Sequence, residues 1–120
     1  MLKRSNDLLS CPLYYTLSVI SGKWAAIILW HLSTGFEPKK RYGELKKCIP
    51  CITHKMLSQE LRSLEDCGLV NRKKYDSVSP RVEYSLTEKG KSLIPVLQFM
   101  LDWGKDWEED YCNMDKSKTV

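Results

Sequence analysis

Hydrophobic positions along the chain fall into short periodic runs separated by glycine, proline and charged breaks. Leu13, Thr16, Leu17 and Ile20 follow Pro12 at helical spacing, which predicts a short helix with Cys11 at or just before its first turn. Ser21-Gly22 breaks it. From Lys23 to Leu32 the pattern restarts as a helix that is apolar nearly all round, through Trp24, Ala25, Ala26, Ile27, Ile28, Leu29 and Trp30. Such a helix belongs in the middle of a core. Gly35 and Pro38 punctuate a connection carrying Lys39, Lys40 and Arg41. Tyr42 to Cys48 reads as a short helix with Leu45 inward, closed by Pro50. Thr53 is the expected N-cap of a further helix over residues 53–67, with Gly68 as its stop. Two helices joined by so short a turn form a helix-turn-helix unit.

The helix over 53–67 has two distinct faces. At 100° per residue Leu57, Leu61 and Leu64 share a narrow sector that must turn inward. Lys55, Ser58, Gln59 and Arg62 lie opposite, while Glu60, Glu65 and Asp66 fall toward the flanks and the C-terminal end. Short hydrogen-bonders interleaved with long cations are what a helix needs to read base edges and phosphates in a major groove.

Strand periodicity follows. Val82, Tyr84 and Leu86 alternate with Arg81, Glu83 and Ser85, and the run Leu69 to Tyr75 precedes them across a Ser/Pro loop. Residues 69–86 are therefore a hairpin, decorated by Arg72, Lys73, Lys74 and Arg81, and a basic hairpin after a helix-turn-helix reads as a wing. Thr87 then opens a last helix, expected over 88–112. Leu93, Leu97, Met100, Gly104, Trp107 and Tyr111 follow a 4-3-4-3-4 spacing, and Ile94, Val96, Leu101 and Trp103 widen the apolar surface. Pro95 is expected to kink this helix. An apolar face so broad exceeds what one small domain covers, which predicts a homodimer contact along that seam, with Gly104 allowing close approach; packing within the protomer is the competing reading. Residues 1–10 are expected to be a flexible arm and 113–120 a tail.

Composition locates the chemistry. The chain has 120 residues and a net charge of +4, one domain's worth. Between Pro38 and Arg81 there are eleven Lys/Arg against five Asp/Glu, a local +6; between Leu101 and Val120 there are three against six, a local −3. One surface faces a polyanion and another avoids it. No apolar stretch is long enough to span a bilayer and no cleavable leader is apparent, so a cytoplasmic location without membrane contact is expected. Five cysteines, an odd number, fit a reducing compartment better than a disulfide framework.

The order helix, helix, helix-turn-helix, hairpin, long helix describes a mainly α winged helix-turn-helix fold with a small β-hairpin and N- and C-terminal dimerisation helices. Several motifs resemble one family with that fold. They are Cys11-Pro12, Ser21-Gly22-Lys23-Trp24, Ile28-Leu29-Trp30-His31-Leu32, Arg41-Tyr42-Gly43-Glu44-Leu45, Ile52-Thr53-His54-Lys55-Met56-Leu57, Leu61-Arg62-Ser63-Leu64-Glu65, Ser79 to Thr87, and Val96-Leu97 with Trp103-Gly104. Together they resemble the HxlR-type bacterial transcriptional regulators, relatives of the MarR group. The resemblance implies a homodimer on a palindromic double-stranded DNA operator with half-sites about one helical turn apart, roughly 10 bp or a multiple. Thr53, His54 and Lys55 then match the family's entry to the recognition helix, and Arg81 its wing arginine. The expected DNA-facing set is Lys55, Ser58, Gln59, Arg62 and His54 in the major groove, entered at Thr53. Lys39, Arg41, Lys73, Lys74 and Arg81 are expected on phosphate, with Arg81 able to reach the minor groove.

Cys11 matches a cysteine that several members of that family use as a redox or electrophile sensor. A helix N-terminus favours an anion there. Cys51 departs from the small or polar residue usual at its position and creates Cys48-Ile49-Pro50-Cys51 within the helix-turn-helix. This pair reads as ordinary turn residues, as a redox pair with each other or with Cys11 of a second copy, or, with His54, as an incomplete zinc site. An oxidant or small-molecule effector is left open. No catalytic constellation or cofactor signature is found, so no enzyme activity, metal or cofactor is expected. The rival readings are a winged-helix protein-interaction module that has abandoned DNA, and a thiol or zinc redox protein built on Cys48 and Cys51.

Overall fold

The structure, a computed structural model, describes residues 11–35, 37–76, 78 and 81–118, with side chains as far as Asp110. The expected N-terminal arm, 1–10, lies outside the described residues. The elements are α1 (Pro12–Ile20), α2 (Ala25–Ser33), β1 (Lys39–Arg41), α3 (Tyr42–Cys48), α4 (His54–Asp66), β2 (Val70–Tyr75), β3 (Arg81–Leu86) and α5 (Glu88–Lys118).

Helix α2 is the hub. Its Ala25, Ile28, Leu29 and Leu32 are buried together with Leu45, Ile49 and Ile52 from α3 and its turn, Leu57, Leu61 and Leu64 of α4, and Leu69, Val70, Leu86 and Leu97. The near-continuous apolar run thus sits where its composition requires. Helix α4 is fixed at both ends. Thr53 Oγ1 accepts the Met56 N–H at 3.1 Å. At the other end Gly68 takes φ +77°, its N–H donates to the Glu65 carbonyl, and the Leu69 N–H donates to the Leu64 carbonyl, both at 3.0 Å. This is a Schellman stop, and it delivers Leu69 into the core beside Leu64.

The expected hairpin forms, but the sheet has three strands in the order β1-β3-β2, all antiparallel. Lys39–Arg41, read from sequence as a connection, pairs as Lys39↔Ser85, Lys40↔Tyr84 and Arg41↔Glu83. Three consecutive cations carry no apolar alternation, so only backbone pairing makes them a strand.

The start of α5 is pressed onto the end of α4. Thr87 Oγ1 donates to the Gly68 carbonyl at 2.6 Å and accepts the Gly90 N–H at 3.0 Å, while the Thr87 N–H donates to the Leu69 carbonyl at 3.0 Å. Lys89 Nζ adds a bond to the Cys67 carbonyl at 2.8 Å. A side chain on Gly90 would overlap the Leu69 carbonyl and press on Leu86 Cδ2 at 3.3 Å.

Helix α5 continues through Pro95 to Lys118, so residues 113–118 of the expected tail are helical. The expected dimer seam is also corrected. Leu97 is buried in the protomer's own core and is thereby lost to a partner, while Leu93 is half-buried against that core. Met100 and Trp107 of that seam are exposed, at 47% and 56%, and so are Val96, Phe99 and Trp103. Gly104 is half-buried, and the Tyr111 side chain lies outside the described residues. Only the first part of α5 packs inward because α2, its partner, is nine residues long. Helix α1 buries no residue, and Leu13, Tyr15 and Leu17 are more than half exposed.

Gly90→Ala is expected to destabilise the fold by about 1–3 kcal/mol, because backbone rather than a flexible side chain blocks the new methyl. Urea denaturation would show it as an earlier midpoint at unchanged slope. Gly104→Ala, with nothing within 4 Å of the added carbon, should leave the protomer's stability equal or slightly raised.

Candidate nucleic-acid interface

With Leu57, Leu61 and Leu64 held inward, helical geometry turns Lys55, Ser58, Gln59 and Arg62 outward, and all four are exposed. Neither Lys55 nor Arg62 forms an ion pair with a described residue. Two other expected contacts are engaged inside the protein. The Thr53 hydroxyl caps its own helix. His54 stacks on Tyr42 with ring centroids 5.8 Å apart at 15°, and its Nδ1 lies 3.1 Å from the Tyr42 hydroxyl. The same hydroxyl contacts Ser58 Oγ at 3.3 Å. Sequence reasoning did not single out Tyr42, which stands twelve residues before His54 at the start of α3.

The sheet sets a second group of cations. Strand alternation and the observed register place Lys39, Arg41, Lys73, Tyr75, Arg81 and Glu83 on one face. Val70 and Leu86, on the other, enter the core. Glu83 sits amid these cations. Its carboxylate lies 3.8 Å from Lys39 Nζ and 3.4 Å from Arg81 Nε, and Lys39 is also held by Glu37 at 3.1 Å. Partial burial alone would oppose charge on Glu83. The Tyr75 hydroxyl, Lys39 and Arg81 outweigh it and hold its pKa below the ordinary carboxylate value. Tyr75 itself lies between two cations, Lys73 Nζ at 4.9 Å and the Arg81 guanidinium at 4.6 Å from the ring centre. Lys39 and Arg81 are therefore positioned by internal partners, whereas Lys73 and Lys74 are in no ion pair with a described residue.

A cleft of about 400 Å³ lies between the start of α3 and the wing, lined by Arg41, Tyr42, Gly43, Lys74, Arg81 and Val82. Three cations from α3's entry and both wing strands converge on it. The Arg41 N–H is used by Glu44 Oε1 at 2.8 Å, which ties the start of α3. This is a surface suited to a phosphate backbone running between helix and wing.

Cys11 is the exposed N-cap of α1, and Cys48, Cys51 and Cys67 are exposed free thiols. Among the described residues no group of three His, Cys, Asp or Glu side chains is placed to hold a metal ion. His31 is half-buried at the end of α2. Desolvation, then the Lys40 charge, lowers its pKa below the ordinary value. No single described helix is long and apolar enough to cross a membrane.

The wing's ion cluster should be visible in the pH dependence of stability. Glu83 titrates lower in the folded chain than its ordinary 4.5, so its contribution is complete above that value and is lost as pH falls through the folded pKa. Glu83→Gln should be less stable than wild type at neutral pH. In urea denaturation series the difference should shrink as the pH is taken below about 4.5.

Comparison with known proteins agrees with this geometry. Residues 19–111 match the family described as HxlR-like helix-turn-helix. The HTH-type transcriptional regulator YdeP of Bacillus subtilis is 47% identical over 105 residues, covering 88% of this chain and 80% of that one. Among solved structures, the redox regulator HypR in its reduced form superposes with a TM-score of 0.77 at 42% identity, covering 86% of this chain and 99% of that one. The reduced form of the transcriptional regulator YodB from B. subtilis superposes at 0.69 with 34% identity, covering 81% and 93%. The chain belongs to the HxlR-like helix-turn-helix family, a family of transcriptional regulators with a winged-helix fold.

Proposed function

We propose that the protein acts as a homodimer on a palindromic operator, each copy placing α4 in a major groove and the β2–β3 wing on the flanking backbone or minor groove. The observation that carries this reading is the exposed stripe Lys55–Ser58–Gln59–Arg62, rigidly backed by Leu57, Leu61 and Leu64, beside a sheet face and cleft bearing Arg41, Lys73, Lys74 and Arg81. An interaction module without DNA would have no need of a stripe free of acids.

Support for two copies comes from apolar side chains left exposed on α1 and on the second half of α5, among them Leu13, Leu17, Met100, Trp103 and Trp107. There Ile27, Leu101, Trp103, Gly104 and Trp107 line an apolar groove. A second copy's α5 is the occupant this reading assigns to it, with Met100, Gly104 and Trp107 at the contact.

Redox or electrophile control through Cys11 is part of the proposal. Its thiol is exposed at the positive end of α1, a helix that buries no residue fully and meets the core through Val19, so modification there would act on the dimer more than on the fold. HypR, similar in sequence and fold, is a redox regulator. The reading sets the protein in the cytoplasm, with no catalytic role.

Binding assays on selected and random duplexes separate these roles. Arg62→Ala should lose about 1–3 kcal/mol on the selected sequence and relax one base position. Lys74→Ala should weaken every sequence alike and lower the salt slope by about one unit. Equal losses on both duplexes for Arg62→Ala would remove its base-reading role. Cys11→Ser should bind the selected duplex normally yet keep it after diamide or quinone treatment that releases wild type.

A further inference from the structure

Tyr42 makes three polar contacts with the first turns of α4 through one oxygen. They are 3.1 Å to the His54 carbonyl, 3.1 Å to His54 Nδ1 and 3.3 Å to Ser58 Oγ. A phenol has one proton to donate and two lone pairs to accept with. The carbonyl can only accept, so the Tyr42 proton belongs on that contact. The Ser58 hydroxyl has its own proton to give to the Tyr42 oxygen. For the third contact to be a hydrogen bond, His54 must donate from Nδ1. Were Tyr42 to donate to Nδ1 instead, two oxygens would face each other at 3.1 Å with no proton between them.

We infer that Tyr42 is a positioning residue that fixes the neutral His54 ring as its Nδ1–H tautomer. This leaves Nε2 as a hydrogen-bond acceptor that selects a base-edge amino donor, N6 of adenine or N4 of cytosine. The inference rests on the DNA reading of α4 for the ligand, but not for the tautomer. Ring stacking at 15° holds the imidazole plane, and Nε2 makes no hydrogen bond with another described residue. His54 is exposed one residue before Lys55, on the first turn of α4, where helix-turn-helix proteins reach base edges. The Nε2–H form that free imidazoles favour would present a donor and select base-edge acceptors instead, O6 or N7 of guanine, N7 of adenine or O4 of thymine. One hydroxyl on α3 therefore decides which half of the major-groove code the first turn of α4 can read. The Ser58 hydroxyl, in contact with Tyr42, supports this arrangement.

The chain has two histidines, so long-range proton–nitrogen spectra of the labelled free protein can be assigned with His31→Gln alone. At about pH 8, where an ordinary imidazole is neutral, wild-type His54 should show the Nδ1–H pattern and Tyr42→Phe should revert it to Nε2–H. An Nε2–H pattern in wild type, or identical patterns in both proteins, overturns the assignment. Base selection is then read by duplex selection and a double-mutant cycle. Tyr42→Phe should lose about tenfold in discrimination at one A or C position. It should cost nothing further in a His54→Ala background. Loss spread over all sequences, or losses that add in full, would overturn the positioning role. A wild-type protein with the Nδ1–H pattern that binds no duplex would instead overturn the DNA reading, and base selection with it.

Discussion

Backbone meets backbone where α5 begins. The Leu69 carbonyl occupies the space that any side chain at Gly90 would need, and Thr87 bridges the same junction through the Gly68 and Leu69 carbonyls. This contact fixes three things at once: the end of α4, the first residues of β2 and the direction in which α5 leaves. Helix and wing must hold a constant relation if both are to meet one groove and its flanking phosphates. Helix α5 must leave at a constant angle if a second copy is to present its own helix at a matching distance. A joint built from carbonyls and a glycine has little freedom to drift, because the groups involved cannot change rotamer.

The proposed DNA-facing surface is organised on the same principle. Glu83 gathers Lys39 and Arg81, Tyr75 lies between Lys73 and Arg81, and Tyr42 ties His54 and Ser58 to α3. Long cationic side chains lose considerable rotamer freedom when they settle on a phosphate, so partial ordering before binding reduces that cost. Lys55, Arg62, Lys73 and Lys74, in no ion pair with a described residue, are left to supply charge.

Much of this was legible in the residues. Pro12, Thr53 and Gly68 mark helix ends through their own backbone chemistry, and each stands at the end it was expected to mark. Leu57, Leu61 and Leu64 declared an inward face, and burial followed. What escaped notice depends on contacts distant in sequence. Lys39–Arg41 became a strand only through pairing with β3. Leu97 belongs to the protomer's own core, and a broad apolar helix does not say in sequence which of its sides meets that core. Tyr42 and Glu83 act on groups brought near by the fold, and Gly90 looks like any glycine in a helix until the Leu69 carbonyl is set beside it.

We propose above all that two copies, joined through their last helices, set two copies of α4 into one face of DNA. Hydroxyl-radical footprinting of a selected duplex, with the mass of the same complex determined by sedimentation, tests it most directly. Two chains per duplex are expected, with a two-fold symmetric footprint whose half-sites are centred about 10 bp or a multiple apart and protected backbone flanking each. One chain per duplex, or protection lacking two-fold symmetry, would contradict it.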